Sequence, residues 1–305
     1  MDGSLIIDKP AGITSHDVVA RVRRAFKIKR VGHAGTLDPF ATGVLVVCVG
    51  AATRLVQHLV GLDKEYLATV RLGFATTTQD LTGEPISETR DAQTITQQEV
   101  RSALTEFTGE QRQTPPMFSA KKIGGRKLYE LARLGETVER EPVAISIYSV
   151  ELMDRGDGPL LLRDDCTVEF NMRVRCSSGT YIRTLANDLG ERLGYGGHLT
   201  ALRRTRVGEF EIARSITLEE LEARAASGDA ASALVSPSAT AGHLARVVLT
   251  DEEAARVMHG REVYTDGLEP GAFVRLCDQN DNLIAVGQVA HDGGVIRPRT
   301  VLCGA

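Results

Sequence analysis

Apolar residues recur along this chain in two rhythms. Leu5-Ile6-Ile7 is a short apolar run closed by Pro10 and Gly12, which reads as a buried strand ending in a turn. Val18, Val19, Val22 and Phe26 then follow at helical spacing, behind Thr14 and Asp17, a hydroxyl and an acid placed to cap a helix. Arg21, Arg23, Arg24 and Lys27 fall on the polar side of that helix. A second capping pair, Thr96 and Glu99, predicts a helix through Phe107, whereas Gly43 to Gly50 and Tyr66 to Leu72 are rich in Val and Leu and predict strands. From Thr167 to Arg175 apolar and polar residues alternate as in a half-solvated antiparallel strand, and Tyr181 to Leu193 returns to helical spacing.

The mixture predicts an α+β protein. Residues 227–242 are rich in Ala, Ser, Gly and Pro, the composition of a connection. We therefore expect a large domain over residues 1–230, a linker at 231–245 and a small domain of short β segments over 246–305. A chain of 305 residues with 42% hydrophobic and 25% charged residues can bury a substantial core. No apolar run approaches the ~18 residues of a membrane span, and nothing at the N-terminus has the pattern of a secretion signal, so a cytoplasmic protein is expected. Cys48, Cys166, Cys176, Cys277 and Cys303 form no C-x-x-C pair and are odd in number, which argues for reduced thiols and against a zinc site.

Net charge is −4, which by itself argues against a nucleic-acid partner. Its distribution argues the other way: residues 1–65 and 171–214 carry basic surpluses, Lys121 to Lys127 holds basic residues and no acid, and residues 215–270 are acidic. Segregation of this kind suits a protein with one face toward an anion.

The densest candidate for chemistry runs from Arg30 to Gly43. Three glycines and Pro39 surround Asp38 in a stretch that can be neither regular helix nor strand, just before an apolar strand. An isolated Asp before Pro is ordinarily a turn starter. The whole string is more specific: Gly32 to Leu45 closely resembles the signature of the TruB family of tRNA pseudouridine synthases. The resemblance continues in the family's order through Ile7 to His16, Lys64-Glu65-Tyr66, Thr76 to Asp80, Pro115 to Lys122 with Gly124 to Tyr129, Ser178 to Leu185 and Leu202 to Thr205.

That resemblance implies the pseudouridine-synthase fold, a mixed and largely antiparallel sheet with a central cleft. It also implies an RNA-gripping insertion at about 110–140 and a PUA-like C-terminal β domain. The implied activity is isomerisation of uridine 55 in the T loop of tRNA, on a flipped-out base, with no cofactor or metal. Asp38 matches the catalytic aspartate, Arg183 the arginine paired with it, and Tyr66 the tyrosine stacked on the uracil. Tyr181 and Leu202 match pocket residues, His33 a residue that enters the RNA, and Asp80 an acid near the RNA and the active-site loop. Lys9, Lys121, Lys122, Arg126 and Lys127 are candidate phosphate contacts. A monomer with no obligatory protein partner is expected. A tRNA chaperone and a guide-RNA-dependent, dyskerin-like synthase are the alternatives.

Overall fold

The computed structural model describes residues 1–302 except 120, 137, 155, 157, 266, 292 and 293, and omits the side chains of 122, 123, 127 and 133. The chain opens with β1 (Gly3–Lys9), α1 (Ser15–Phe26), β2 (Val31–His33), β3 (Thr42–Val49), α2 (Val56–Leu59) and β4 (Lys64–Leu72). It continues with α3 (Gln97–Glu106), β5 (Gly109–Gln113), a small hairpin of β6 (Lys122–Ile123) and β7 (Arg126–Lys127), α4 (Leu128–Arg133) and β8 (Val143–Met153). Then follow β9 (Leu160–Leu162), β10 (Val168–Cys176), α5 (Ile182–Leu193), β11 (Gly197–Val207), β12 (Phe210–Glu211), α6 (Leu218–Ala226) and α7 (Pro237–Thr240). The last part holds β13 (Ala245–Val248), α8 (Asp251–Met258), β14 (Val263–Tyr264), β15 (Phe273–Cys277), β16 (Leu283–Val289) and β17 (Val295–Val301).

Both capping predictions are realised: Thr14 and Asp17 close a reciprocal box at α1, and Thr96 and Glu99 do the same at α3. The large sheet runs β1-β3-β11-β4-β10-β8-β5, with β2, β12 and β9 paired at its margins. All its ladders are antiparallel except the short β3–β11 pairing, where Arg203 faces Thr42 and Arg204 faces Gly43. The fold is thus α+β with a mixed, largely antiparallel sheet. One face of β4 is buried at every second residue, Lys64, Tyr66, Ala68, Val70 and Leu72, and this face packs under α5 with Ile182, Leu185, Ala186 and Leu189. The parallel β3–β11 contact is very close, since a Cβ on Gly43 would lie 2.2 Å from the Arg204 carbonyl oxygen. Gly43 also has φ +102°, so a glycine is required there twice over.

The second sheet, β13-β15-β16-β17-β14, is built wholly from the C-terminal residues. The segment with linker composition is not a free tether. Val235 bridges Ser4, and the Ser4 and Thr240 hydroxyls lie 2.7 Å apart in the interior. Cys277, Leu283, Val286 and Leu302 share a core with Val44 and Val46 of the large sheet and with Leu55 just after β3. Small residues make a flexible connection only when their backbone groups find no partner; here β1 supplies one.

Candidate active site

The loop between β2 and β3 carries Asp38, and it is pinned from below on all sides. The Ser15 hydroxyl, at the start of α1, donates to the Leu37 carbonyl at 3.1 Å and accepts from the Leu37 N–H at 2.9 Å. The Gly12 N–H donates to Pro39 O at 2.8 Å. Lys9 extends beneath the loop, its ammonium donating to the carbonyls of Pro10 (2.9 Å), Ile13 (2.8 Å) and Pro39 (3.2 Å). On the other flank Arg204 donates to the carbonyls of Val44 (2.8 Å), Gly35 (3.1 Å) and Thr36 (3.4 Å). A loop rich in glycine is entropically costly to hold in one shape, and these contacts offset that cost.

Asp38 is the one acid of this loop, and it faces Arg183 on the first turn of α5. The guanidinium Nε lies 2.8 Å from the Asp38 carboxylate, with a second N–H···O contact of 3.3 Å. Arg183 is 5% exposed and Asp38 33%, so the arginine is the rigid partner and the carboxylate faces the cleft. The same guanidinium donates to Phe118 O at 2.7 Å and Thr78 O at 3.0 Å, which fixes its plane. Burial pushes the Asp38 carboxyl above its usual range, and the charge and hydrogen bonds of Arg183 pull it back.

These two residues border a cleft of about 240 Å³, lined also by Tyr66, Tyr181, Leu202 and Ser119. Tyr66 on β4 and Arg204 on β11 are directly paired across the ladder, so the floor is set by sheet register. Tyr181 precedes α5 and is held by Gln113, which accepts from its N–H at 2.8 Å and donates to its carbonyl at 3.0 Å. Burial raises the phenols of both Tyr66 and Tyr181, against the opposing influence of Arg204 on the first and the Ser119 hydroxyl on the second. Both are neutral donors near pH 7.

The structure therefore brings Asp38, Tyr66, Arg183, Tyr181 and Leu202 to one cleft, and it treats the other expected residues differently. Lys9, expected to meet phosphate, is a correction: it is 0% exposed, and its ammonium serves the backbone of the Asp38 loop. Asp80, expected near the RNA and the active-site loop, is 4% exposed. Its carboxylate accepts from Thr82 N–H at 2.9 Å and from the Thr78 hydroxyl at 2.7 Å, and lies 3.7 Å from Arg183, so it backs the arginine.

His33 sits half-buried at the end of β2, and burial lowers its pKa, with a hydrogen bond to the Gly35 backbone opposing the fall. Lys121 and Arg126 lie in and beside the β6–β7 hairpin, where exposed Arg126 lies 3.7 Å from Glu136. The side chains of Lys122 and Lys127 lie outside the described residues. The hairpin is tied to the cleft through Phe118, whose carbonyl Arg183 binds. On α1, Arg21 is taken up by Glu219 (3.0 Å) and Glu222 (2.7 Å) of α6.

Lys64 and Arg204 also line the cleft, although the sequence assigned neither of them a role in the site. Each stands two positions from a recognised pocket residue on the same strand, Tyr66 and Leu202, and the period of two was the available signal. The Lys64 ammonium donates to the Val60 and Leu62 carbonyls, and burial lowers it to about 8. Among the described residues no group of His, Cys, Asp and Glu is arranged to hold a metal ion, and no helix is long and apolar enough to cross a membrane.

Comparison with known proteins agrees with this geometry. The model of the TruB family pseudouridylate synthase N-terminal domain matches residues 23–182, the tRNA pseudouridylate synthase B C-terminal domain residues 183–254, and the C-terminal domain of pseudouridine synthase II TruB residues 245–302. The tRNA pseudouridine synthase B of Geobacter sulfurreducens is 48% identical over 89% of this chain and 86% of its own. That of Symbiobacterium thermophilum is 50% identical over 85% and 82%. Among solved structures, a chain in a Cbf5-Nop10-Gar1 complex superposes with a TM-score of 0.75 at 28% identity, covering 99% of this chain and 85% of that one. A chain in an H/ACA RNP bound to a substrate RNA containing 2'-deoxyuridine gives 0.74 at 26% identity, over 99% and 85%. With family models along nearly its whole length and relatives this similar across most of both chains, the protein belongs to the TruB family of pseudouridine synthases, which are isomerases.

Proposed function

We propose that this protein converts uridine 55 in the T loop of tRNA to pseudouridine, acting through Asp38 on a uridine turned out of the RNA. The observation that carries this reading is the Asp38–Arg183 pair at the mouth of a cleft whose walls are Tyr66, Tyr181 and Leu202. A flat base fits between an aromatic ring and an aliphatic side chain, and base flipping is the general route to a target atom hidden in a stack. Arg183 favours the ionised form of Asp38 against the burial that raises its pKa, and a carboxylate can bond to C1′ or withdraw a sugar proton as the glycosidic bond breaks. Uracil leaves with the electron pair, turns, and is joined to C1′ through C5, from which a proton departs while N1 takes one up. Atoms and electrons balance within the substrate, so the residues present suffice without a cofactor.

The names of the curated relatives, tRNA pseudouridine synthase B, favour tRNA as substrate. The T arm, a monomer without an obligatory protein partner and a cytoplasmic location complete the proposal. A second reading has its own observation: the structural neighbours are found in complexes with Nop10 and Gar1 or in an H/ACA RNP. Pseudouridine formed at position 55 of a bare tRNA transcript by the purified chain supports the first reading. Turnover only with added guide RNA or protein supports the second. Asp38→Asn should abolish product while tRNA affinity stays within about tenfold, because the amide keeps the shape and loses the charge. A fully active D38N variant would refute the assignment, and an active chaperone without isomerisation in the parent would replace it.

A further inference from the structure

Buried charge around the cleft is unbalanced. Lys9, Lys64, Arg183 and Arg204 are all buried, while the buried or cleft-facing acids are Asp38 and Asp80, and Arg183 serves both of those. Arg204 is 1% exposed, and each side-chain contact in which it is found goes to a neutral group: the carbonyls of Val44, Gly35 and Thr36 and the Tyr66 hydroxyl. Among the described residues it has no carboxylate partner within ion-pair distance. A guanidinium cannot discharge itself by losing a proton, so such a site is costly unless an anion comes to it.

We propose that the Arg204 guanidinium faces the detached uracil and stabilises the negative charge that the base carries after the C1′–N1 bond breaks. This rests on the reading that Asp38 acts on uridine in this cleft. The electron pair of the broken bond goes to N1 and spreads to both carbonyl oxygens. That pair forms the new C5–C1′ bond, after which C5 loses its proton and N1 takes one up. Arg204 gives up no proton in this sequence; it supplies fixed positive charge where negative charge develops, with Lys64 beside it on the neighbouring strand.

The position of Arg204 favours the base over a phosphate. It shares β11 with Leu202 and pairs with Tyr66 across the ladder, the two residues whose apolar surfaces suit a flat ring. Arg204 lines the cleft beside these two residues, whereas a phosphodiester remains with the RNA backbone at the rim. Arg204 also braces the Asp38 loop, so a positioning role must be told apart from an electrostatic one.

The test is a leaving-group comparison in single turnover, using tRNA with uridine or 5-fluorouridine at the modified position. Fluorine withdraws electrons and stabilises the departing base anion without help. For uridine, Arg204→Gln should slow consumption of the parent nucleoside by about 10²–10³, the usual loss for one preorganised donor, with affinity changed less than about threefold. On 5-fluorouridine the same variant should lose less than about tenfold, and Arg204→Lys should recover at least about tenfold of the uridine rate by restoring the charge. Equal slowing on both substrates would reduce Arg204 to a brace for the loop and overturn the proposal. Lost affinity with a shallower salt dependence would make it a phosphate contact and overturn it equally. Should R204Q fail to fold, R204K compared on the two substrates carries the same test, with a smaller defect on 5-fluorouridine expected. D38N serves as the separate control: inactivity on both substrates with binding kept sustains the cleft reading, and activity there would sink that reading independently.

Discussion

Replacing Lys9 by methionine removes a cation from beneath the Asp38 loop, and the structure gives the size and the pH dependence of the consequence. The ammonium is fully enclosed and burial lowers its pKa from 10.5 to about 8, with the Asp38 carboxylate opposing the fall. That difference of about 2.5 units, at 1.36 kcal/mol per unit, corresponds to at most about 3 kcal/mol once screening by cleft water is allowed for. Below pH 8 the lysine is charged in both folded and unfolded chains, and the folded state bears the whole penalty. Between pH 8 and 10.5 the unfolded chain binds the extra proton, so this group makes folding more favourable as pH rises. Methionine abolishes that gain and leaves three carbonyls, those of Pro10, Ile13 and Pro39, without their donor, at about 1–3 kcal/mol for each one kept from water.

K9M should therefore be less stable than the parent near pH 7 by about 1–4 kcal/mol, and the gap should widen by up to about 3 kcal/mol near pH 10. Urea unfolding followed by far-ultraviolet circular dichroism is the assay, since the chain has no tryptophan. Comparison at matched pH cancels the opposing contribution of the Cys48 and Cys176 thiols, which burial raises to about 12 and about 11. A parallel pH dependence in parent and variant would refute a buried, charged Lys9. A drop of about one unit in the salt slope of tRNA binding would return the residue to the phosphate contacts.

Arg183→Met removes the charge that opposes burial at Asp38, so the Asp38 carboxyl should rise further and the acid limb of kcat/KM should move to higher pH; an unmoved limb would disprove the ion-pair role. Gly43→Ala introduces a Cβ 2.2 Å from Arg204 O at φ +102°, and should lower stability by more than about 2 kcal/mol, checked by thermal melting; a neutral change would contradict the close β3–β11 contact. Combining Lys121→Ala with Lys122→Ala should flatten the salt slope of tRNA binding by about two units without changing which uridine is modified, measured by filter binding and nuclease mapping. An isolated T-arm hairpin should react at a rate comparable with whole tRNA, and equal reactivity of an unstructured strand of the same sequence would rule out recognition by shape.

The sequence by itself determined the local elements and the chemical cast. Helices α1 and α3 were legible because their caps and apolar spacing act within a few residues, β3 and β4 because they are rich in Val and Leu, and β10 because a pleated strand with one solvated face alternates. Asp38 stood out because glycines and a proline exclude regular structure around it. The partners of each charge were decided only in the tertiary structure. Lys9 reads as a phosphate contact and Arg203 and Arg204 as part of a basic stretch, yet Lys9 and Arg204 are buried and Arg203 pairs with Asp8 at 2.7 Å. A lysine next to a turn is amphipathic, and whether its ammonium meets solvent, phosphate or carbonyl oxygen depends on strands and loops distant in the chain. The same holds for the segment around Val235, whose small residues specify flexibility only until β1 offers its edge. Side-chain period and capping are short-range properties and survive in one dimension; burial of a charge is a property of the surroundings, and those exist only once β11 lies between β3 and β4.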